Sequence, residues 1–200
     1  LMRVIDGGIT APEGFNAAGR HIGIKKVKKD IALLTSDVPA KAAGVYTQNL
    51  VKAAPVLWNS AITKKGTPVR GLVGISGNAN ACTGEQGIKD NELMAQAMAW
   101  LMGVEKEEIL TAATGIIGLA MPMEKILKGI EETYPELSPR RDSAKNAAGG
   151  IITTDTFIKE MAVELNIGGK VVKIGGMAKG SGMVHPNMAT VLSFITTDIN

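Results

Sequence analysis

Apolar and β-branched residues gather in short runs at 31–34, 71–75, 109–113, 171–174 and 191–195, each bounded by Gly, Pro, Asn or Asp. Runs of that length between breakers predict strands buried on at least one face. Elsewhere the spacing turns helical. Leu93, Ala97, Trp100 and Leu101 share one helical face, with Asp90 placed to cap and Gly103 to terminate, which predicts a helix over 91–102. Pro122 suits a first helical turn, Ile126, Leu127, Ile130 and Tyr134 follow at helical spacing, and Pro135 stops the second helix. A third is expected from Ser138-Pro139 to Gly149-Gly150. The stretch 157–174 reads as two strands around Asn166-Ile167-Gly168-Gly169, a hairpin turn with glycines available for positive φ.

Helices and strands are therefore interspersed, which favours an α/β or α+β layered fold, mixed sheets packed with helices, over a bundle or a sandwich. No repeat of 20 to 50 residues and no Pro/Ser-rich linker divides the chain. The strand pattern at 190–197 lies close to the last residue and needs partners, as in a larger assembly.

Composition narrows the function. The 200 residues include 24 glycines but only 3 Phe, 2 Trp and 2 Tyr, so tight turns and close backbone approaches are expected. The 22 Lys and Arg against 19 Asp and Glu give a net charge of +3, spread along the chain, which is no electrostatic footprint for nucleic acid. No apolar stretch approaches a membrane span and the first residues lack a signal-peptide core. A single cysteine and ten methionines suit a reducing, cytoplasmic setting.

Familiar chemistry is scarce. Gly175 and Gly180 have P-loop spacing, yet Ser181 stands where the phosphate-binding lysine belongs, and no dinucleotide fingerprint or G-x-S-x-G elbow occurs. His21, His185 and Cys82 are too widely separated for a metal site, and no metal or cofactor is expected. Cys82 reads as a buried structural thiol, and the histidines as packing or hydrogen-bonding residues. What remains is the segment from Met183 to Leu192, where a glycine- and proline-rich turn leads into a strand at Thr190. Cleavage between Ala189 and Thr190 would free an α-amine with a pKa of about 8 beside its own hydroxyl, making one residue both nucleophile and base. In isolation Thr190 also reads as a β-branched residue opening a strand.

The run Lys179-Gly180-Ser181-Gly182-Met183-Val184-His185-Pro186-Asn187-Met188-Ala189-Thr190 closely resembles the K-G-x-G-M-(I/V)-x-P-N-M-A-T signature of the ornithine acetyltransferase (glutamate N-acetyltransferase) family of arginine biosynthesis. Similar matches occur at 8–15, at 76–84, at Thr114-Gly115-Ile116-Ile117-Gly118 and at Thr153-Thr154-Asp155-Thr156. The resemblance implies that fold and self-cleavage before Thr190, so that 1–189 form an α chain and 190–200 begin a β chain whose remainder this sequence lacks. It further implies ping-pong transfer of an acetyl group from N2-acetylornithine to glutamate through acetyl-Thr190, with acetyl-CoA a further donor in some members. Thr114 and Gly115 correspond to the oxyanion pair, and Lys179, Thr153 and Thr190 to substrate contacts, Thr154 being the near alternative to Thr153. The implied partner is the β chain of the same precursor, in a heterotetramer or larger assembly. Two other classes stay open: an aminopeptidase-like hydrolase using the same threonine, and a non-catalytic binding module.

Overall fold

Two four-stranded sheets and four helices make up the computed structural model, which describes residues 2–182, 188 and 190–199. The strands are β1 (Met2–Ile5), β2 (Phe15–Arg20), β3 (Ile31–Ala40), β4 (Val69–Asn78), β5 (Ile109–Ile116), β6 (Lys159–Ile167), β7 (Lys170–Lys179) and β8 (Leu192–Thr197). The helices are α1 (Ala54–Lys65), α2 (Gly84–Met102), α3 (Met123–Thr133) and α4 (Arg141–Ile151). One sheet has the order β2-β3-β4-β5, antiparallel except for the parallel pair β4/β5; the other is β1-β6-β7-β8, antiparallel throughout. The mixed sheets packed with helices are those the sequence predicts.

The runs at 31–34, 71–75 and 109–113 each supply one wall of a core, whereas Val171 and Ile195 of the two later runs face outward. On one face of the β2–β5 sheet, Ile31, Leu33, Val73, Ile75 and Ile109 pack against Met94 and Met98 of α2 and Ile126 and Ile130 of α3. On its other face lies α4, whose Ala144, Ala147, Ala148 and Ile151 meet Ala17, Ala32 and Leu72, and also Met177 of β7. Helix α4 is thus the filling between the two sheets, and its small residues make that possible. A methyl on Gly150 would run into the carbonyl of Ile31, and one on Gly19 into the backbone at Asn146. The hairpin between β6 and β7 turns at Gly168 (φ +58°) and Gly169 (φ +84°), with Asn166 accepting the Gly169 N–H at 2.9 Å.

Several expectations are corrected. Helix α2 begins at Gly84, so Asp90 is an interior residue, 5% exposed and accepting from Gln86 at 2.8 Å, rather than a cap. The buried stripe is Met94, Ala95, Met98 and Ala99, while Leu93 and Trp100 face outward. Pro122 is the cap of α3 and not its first residue, and Arg141 rather than Ser138 opens α4. Helix α1 and strands β1 and β2 go beyond the predicted elements. Helix α1 is held chiefly by polar contacts to the open edge of β5, where Trp58 donates to Ile109 O at 2.8 Å and Asn59 donates to Thr111 O at 2.7 Å while accepting its N–H at 3.0 Å. Periodicity does not register such anchors.

Strand β8 completes the second sheet. Leu192, Ser193, Phe194 and Ile195 pair with Lys179, Ala178, Met177 and Gly176, and Thr196 donates to Ile9 O at 2.6 Å. Just beyond, the Asp198 carboxylate accepts the Lys173 N–H at 2.8 Å and the Glu13 N–H at 3.2 Å.

Candidate active site

The end of β7 places Lys179 beside Thr190. Lys179 is 4% exposed, and its ammonium donates to the carbonyls of Gly180 at 2.8 Å and Thr190 at 2.9 Å, bridging eleven positions. Burial pushes its pKa below the usual lysine range, against the pull of Asp155 and with a further push from Lys159. The next residue is also tied down, since the Gly180 N–H donates to Asp155 Oδ1 at 2.8 Å. Ser181 and Thr190 then meet hydroxyl to hydroxyl at 2.7 Å.

Asp155 organises this corner. One oxygen also accepts from Lys159 Nζ at 2.6 Å and the other accepts the Thr153 N–H at 3.3 Å. Burial by itself would raise the Asp155 pKa, but these three donors outweigh it and hold the carboxyl below its ordinary value. Thr153, Lys179 and Thr190, far apart in sequence, are thereby joined by one carboxylate and one ammonium. Thr154 borders the same turn, its hydroxyl 3.1 Å from where a methyl on Gly182 would lie.

Thr114 and Gly115 lie at the carboxyl end of β5, opposite Ser76 and Gly77 of β4. Carboxyl ends of adjacent parallel strands are where layered α/β folds place ligands. Gly77 (φ +114°) and Gly115 (φ +137°) both adopt backbone conformations that favour glycine, and a methyl on Gly115 would collide with the Gly77 carbonyl group. The register shifts just after Gly77, where Asn78 pairs with both Thr114 and Ile116, and the Ala79 N–H still donates to Ile116 O at 3.0 Å. Thr114 is buried, 8% exposed, beside this irregularity.

Lys25 connects the two regions. Its Cγ lies 3.1 Å from where a methyl on Gly77 would stand, and its Nζ donates to Ile152 O at 2.8 Å, next to Thr153. The loop carrying it is folded around buried Asp30, which accepts the N–H groups of Ile22 at 2.6 Å and Lys25 at 2.8 Å and lies 3.2 Å from His21 Nδ1. Burial lowers the Lys25 pKa to about 8; Asp30 and Asp155 oppose the shift and Lys28 reinforces it. A lysine whose folded pKa lies below its unfolded value penalises folding while both states are protonated. That penalty fades as pH rises from about 8 towards 10.5, where the unfolded chain binds the extra proton. The melting temperature of the wild type relative to Lys25→Met should therefore climb across this interval, as thermal unfolding in a pH series would measure. A flat difference would mean that Lys25 is not buried as described.

Sequence reasoning assigned nothing to Lys25, Asp155 or Ser181, although Asp155 and Ser181 lie inside two of the quoted motifs. His21 bonds to Lys28 O at 2.9 Å, as a hydrogen-bonding residue should. Cys82 is exposed, not buried, at the positive-φ turn before α2 (φ +56°), because the chain must reverse there after β4. Ala189 and His185 lie outside the described residues. Among the described residues no group of three or more His, Cys, Asp or Glu could hold a metal, and no helix is long and apolar enough to cross a membrane.

Comparison with known proteins follows the same outline. The model of the ArgJ family matches residues 16–200. The arginine biosynthesis bifunctional protein ArgJ of Symbiobacterium thermophilum is 52% identical over 98% of this chain and 49% of its own length; that of Caldanaerobacter subterraneus subsp. tengcongensis is 49% identical over 98% and 48%. The chain thus spans about half the length of the curated relatives it matches. Among solved structures, the arginine biosynthesis bifunctional protein ArgJ of Bacillus halodurans superposes with a TM-score of 0.89 at 34% identity, covering 94% of this chain and 97% of that one. The ornithine acetyltransferase of Mycobacterium tuberculosis complexed with ornithine gives 0.86 at 38% identity, covering 93% and 98%.

Proposed function

Since the chain belongs to the ArgJ family, we propose that it is the amino-terminal part of a cytoplasmic acetyltransferase of arginine biosynthesis that cuts itself between Ala189 and Thr190. Residues 1–189 are then the α chain, and 190–200 open a β chain that completes the site within a heterotetramer or larger assembly. The observation that supports this best is the chain of contacts in which Asp155 holds the backbone of Thr153 and Gly180 while Lys179, next to Gly180, holds the carbonyl of Thr190.

The chemistry follows from the residues. Freed by cleavage, the Thr190 amine takes the proton of its own hydroxyl as Oγ attacks the acetyl carbonyl of N2-acetylornithine. The oxyanion is met by the Thr114 hydroxyl and Gly115 backbone, donors that need no rearrangement at the moment of reaction. Ornithine leaves, and glutamate takes the acetyl group from Thr190 in the second half of a ping-pong cycle. Both substrates carry an α-carboxylate, which the Lys179 ammonium pairs with, supported by Thr153. Acetyl-CoA can serve as a second acetyl donor, which would make the enzyme bifunctional, and no resident cofactor is needed.

The test is ornithine release from acetylornithine by the full-length, processed enzyme, with glutamate varied. Parallel lines in double-reciprocal plots are expected. Steady ornithine release without glutamate would instead identify a hydrolase that uses water as acceptor.

A further inference from the structure

Ser181 touches the atom on which the proposed function depends. Two residues grip position 190, Lys179 holding its carbonyl and Ser181 with its hydroxyl 2.7 Å from the Thr190 hydroxyl, while Gly180 between them is pinned to Asp155. The grip is narrow. A methyl on Gly180 would press on Asp155 at 3.0 Å and one on Gly182 on Thr154 at 3.1 Å, so this turn runs close along the 154–155 wall, with Ser181 the side chain between its two glycines.

Before cleavage, the nitrogen of Thr190 is an amide without basicity, so the amine that activates the mature nucleophile does not yet exist. The first cut needs another route for the hydroxyl proton. We propose that Ser181 is the proton relay for self-cleavage, a role that rests on Thr190 being the nucleophile. In the first step Thr190 Oγ bonds to the carbonyl carbon of Ala189 and the bond from that carbon to the Thr190 nitrogen breaks. The Thr190 hydroxyl proton passes to Ser181 Oγ as Ser181 hands its own proton on to the departing nitrogen. Ser181 ends as the hydroxyl it began as, and an ester joins Ala189 to Thr190 Oγ. Water then hydrolyses the ester, leaving the Ala189 carboxylate and the restored Thr190 hydroxyl, and the proton released is taken up by the new Thr190 amine.

The experiment follows maturation of newly synthesised full-length precursor on denaturing gels for wild type, Ser181→Ala, Ser181→Thr and Thr190→Ala. Positioned proton transfer of this kind contributes roughly 10²- to 10⁴-fold, so Ser181→Ala should slow the cut by about 10²-fold or more. Ser181→Thr, which keeps a hydroxyl, should restore most of the rate. Melting curves of the uncut Ser181→Ala and Thr190→Ala precursors should agree, which separates a slow reaction from a damaged fold. If Thr190→Ala stays whole while Ser181→Ala matures at the wild-type rate, the relay is overturned and the nucleophile stands. A slow Ser181→Ala that Ser181→Thr does not rescue overturns it equally, since the loss would not track the hydroxyl. If Thr190→Ala is cut like wild type, Thr190 is not the nucleophile and the relay falls with it.

Discussion

Full-length protein carrying Thr190→Ala should run as one uncut band on a denaturing gel and show no acetyl transfer above background. The substitution removes the attacking oxygen for both reactions, and neighbouring hydroxyls do not replace it: Ser181 lies 2.7 Å from the Thr190 hydroxyl, but it is two residues past the end of β7 and does not stand at the bond to be cut. The loss should therefore approach the whole enzymatic rate, roughly 10⁶-fold or more, as when the nucleophile of a unit that acts together is deleted. Folding should survive, because Lys179 holds position 190 by its backbone carbonyl and not by its side chain. Two fragments of wild-type size from this variant, or retained ornithine release, would remove Thr190 from the mechanism.

Thr114→Ala should be the next most damaging change, lowering kcat of the mature enzyme by roughly 10² to 10³ with KM little altered, the pattern of an interaction that matters mainly in the transition state. Position matters here more than residue type. Thr114 stands at the carboxyl end of β5 beside the positive-φ glycine pair, and losing its hydroxyl alone leaves no large void. Thr114→Ser, which retains the hydroxyl, should recover most of the rate. Steady-state kinetics with melting temperatures on the same samples decide the matter. Unchanged kcat in Thr114→Ala would leave the Gly115 backbone as the donor, and a kcat loss matched by a comparable drop in stability would make Thr114 structural.

The sequence revealed buried strands more accurately than the buried faces of helices for a physical reason. A strand such as β4 or β5 is buried over most of its length and shows as a short run dominated by apolar and β-branched residues. The buried face of α2, by contrast, is made of methionine and alanine, and its most conspicuous residue, Trp100, is 76% exposed, so the aromatic pointed to the wrong face. Of the proposed site, motif residues Thr153, Lys179 and Thr190 were picked out one by one. Asp155 and Lys25 were not, since their roles lie in joining segments more than twenty residues apart, through Gly180 in one case and Ile152 in the other. A linear pattern carries no record of which distant backbone group a charge will meet.

Pairing of β8 with β7 would outlast the proposed cut. Severing the chain before Thr190 leaves residues 192–198 stitched to β7, to Ile9 and to Glu13, so the new amino terminus is retained without a covalent tether. Native purification should then deliver both pieces together in equal amounts. Once denatured, however, they no longer share a chain, and a first-order refolding of the precursor becomes a second-order encounter whose yield falls on dilution. Maturation would thus exchange a molecule that can find its fold alone for one that keeps it only while it is never lost.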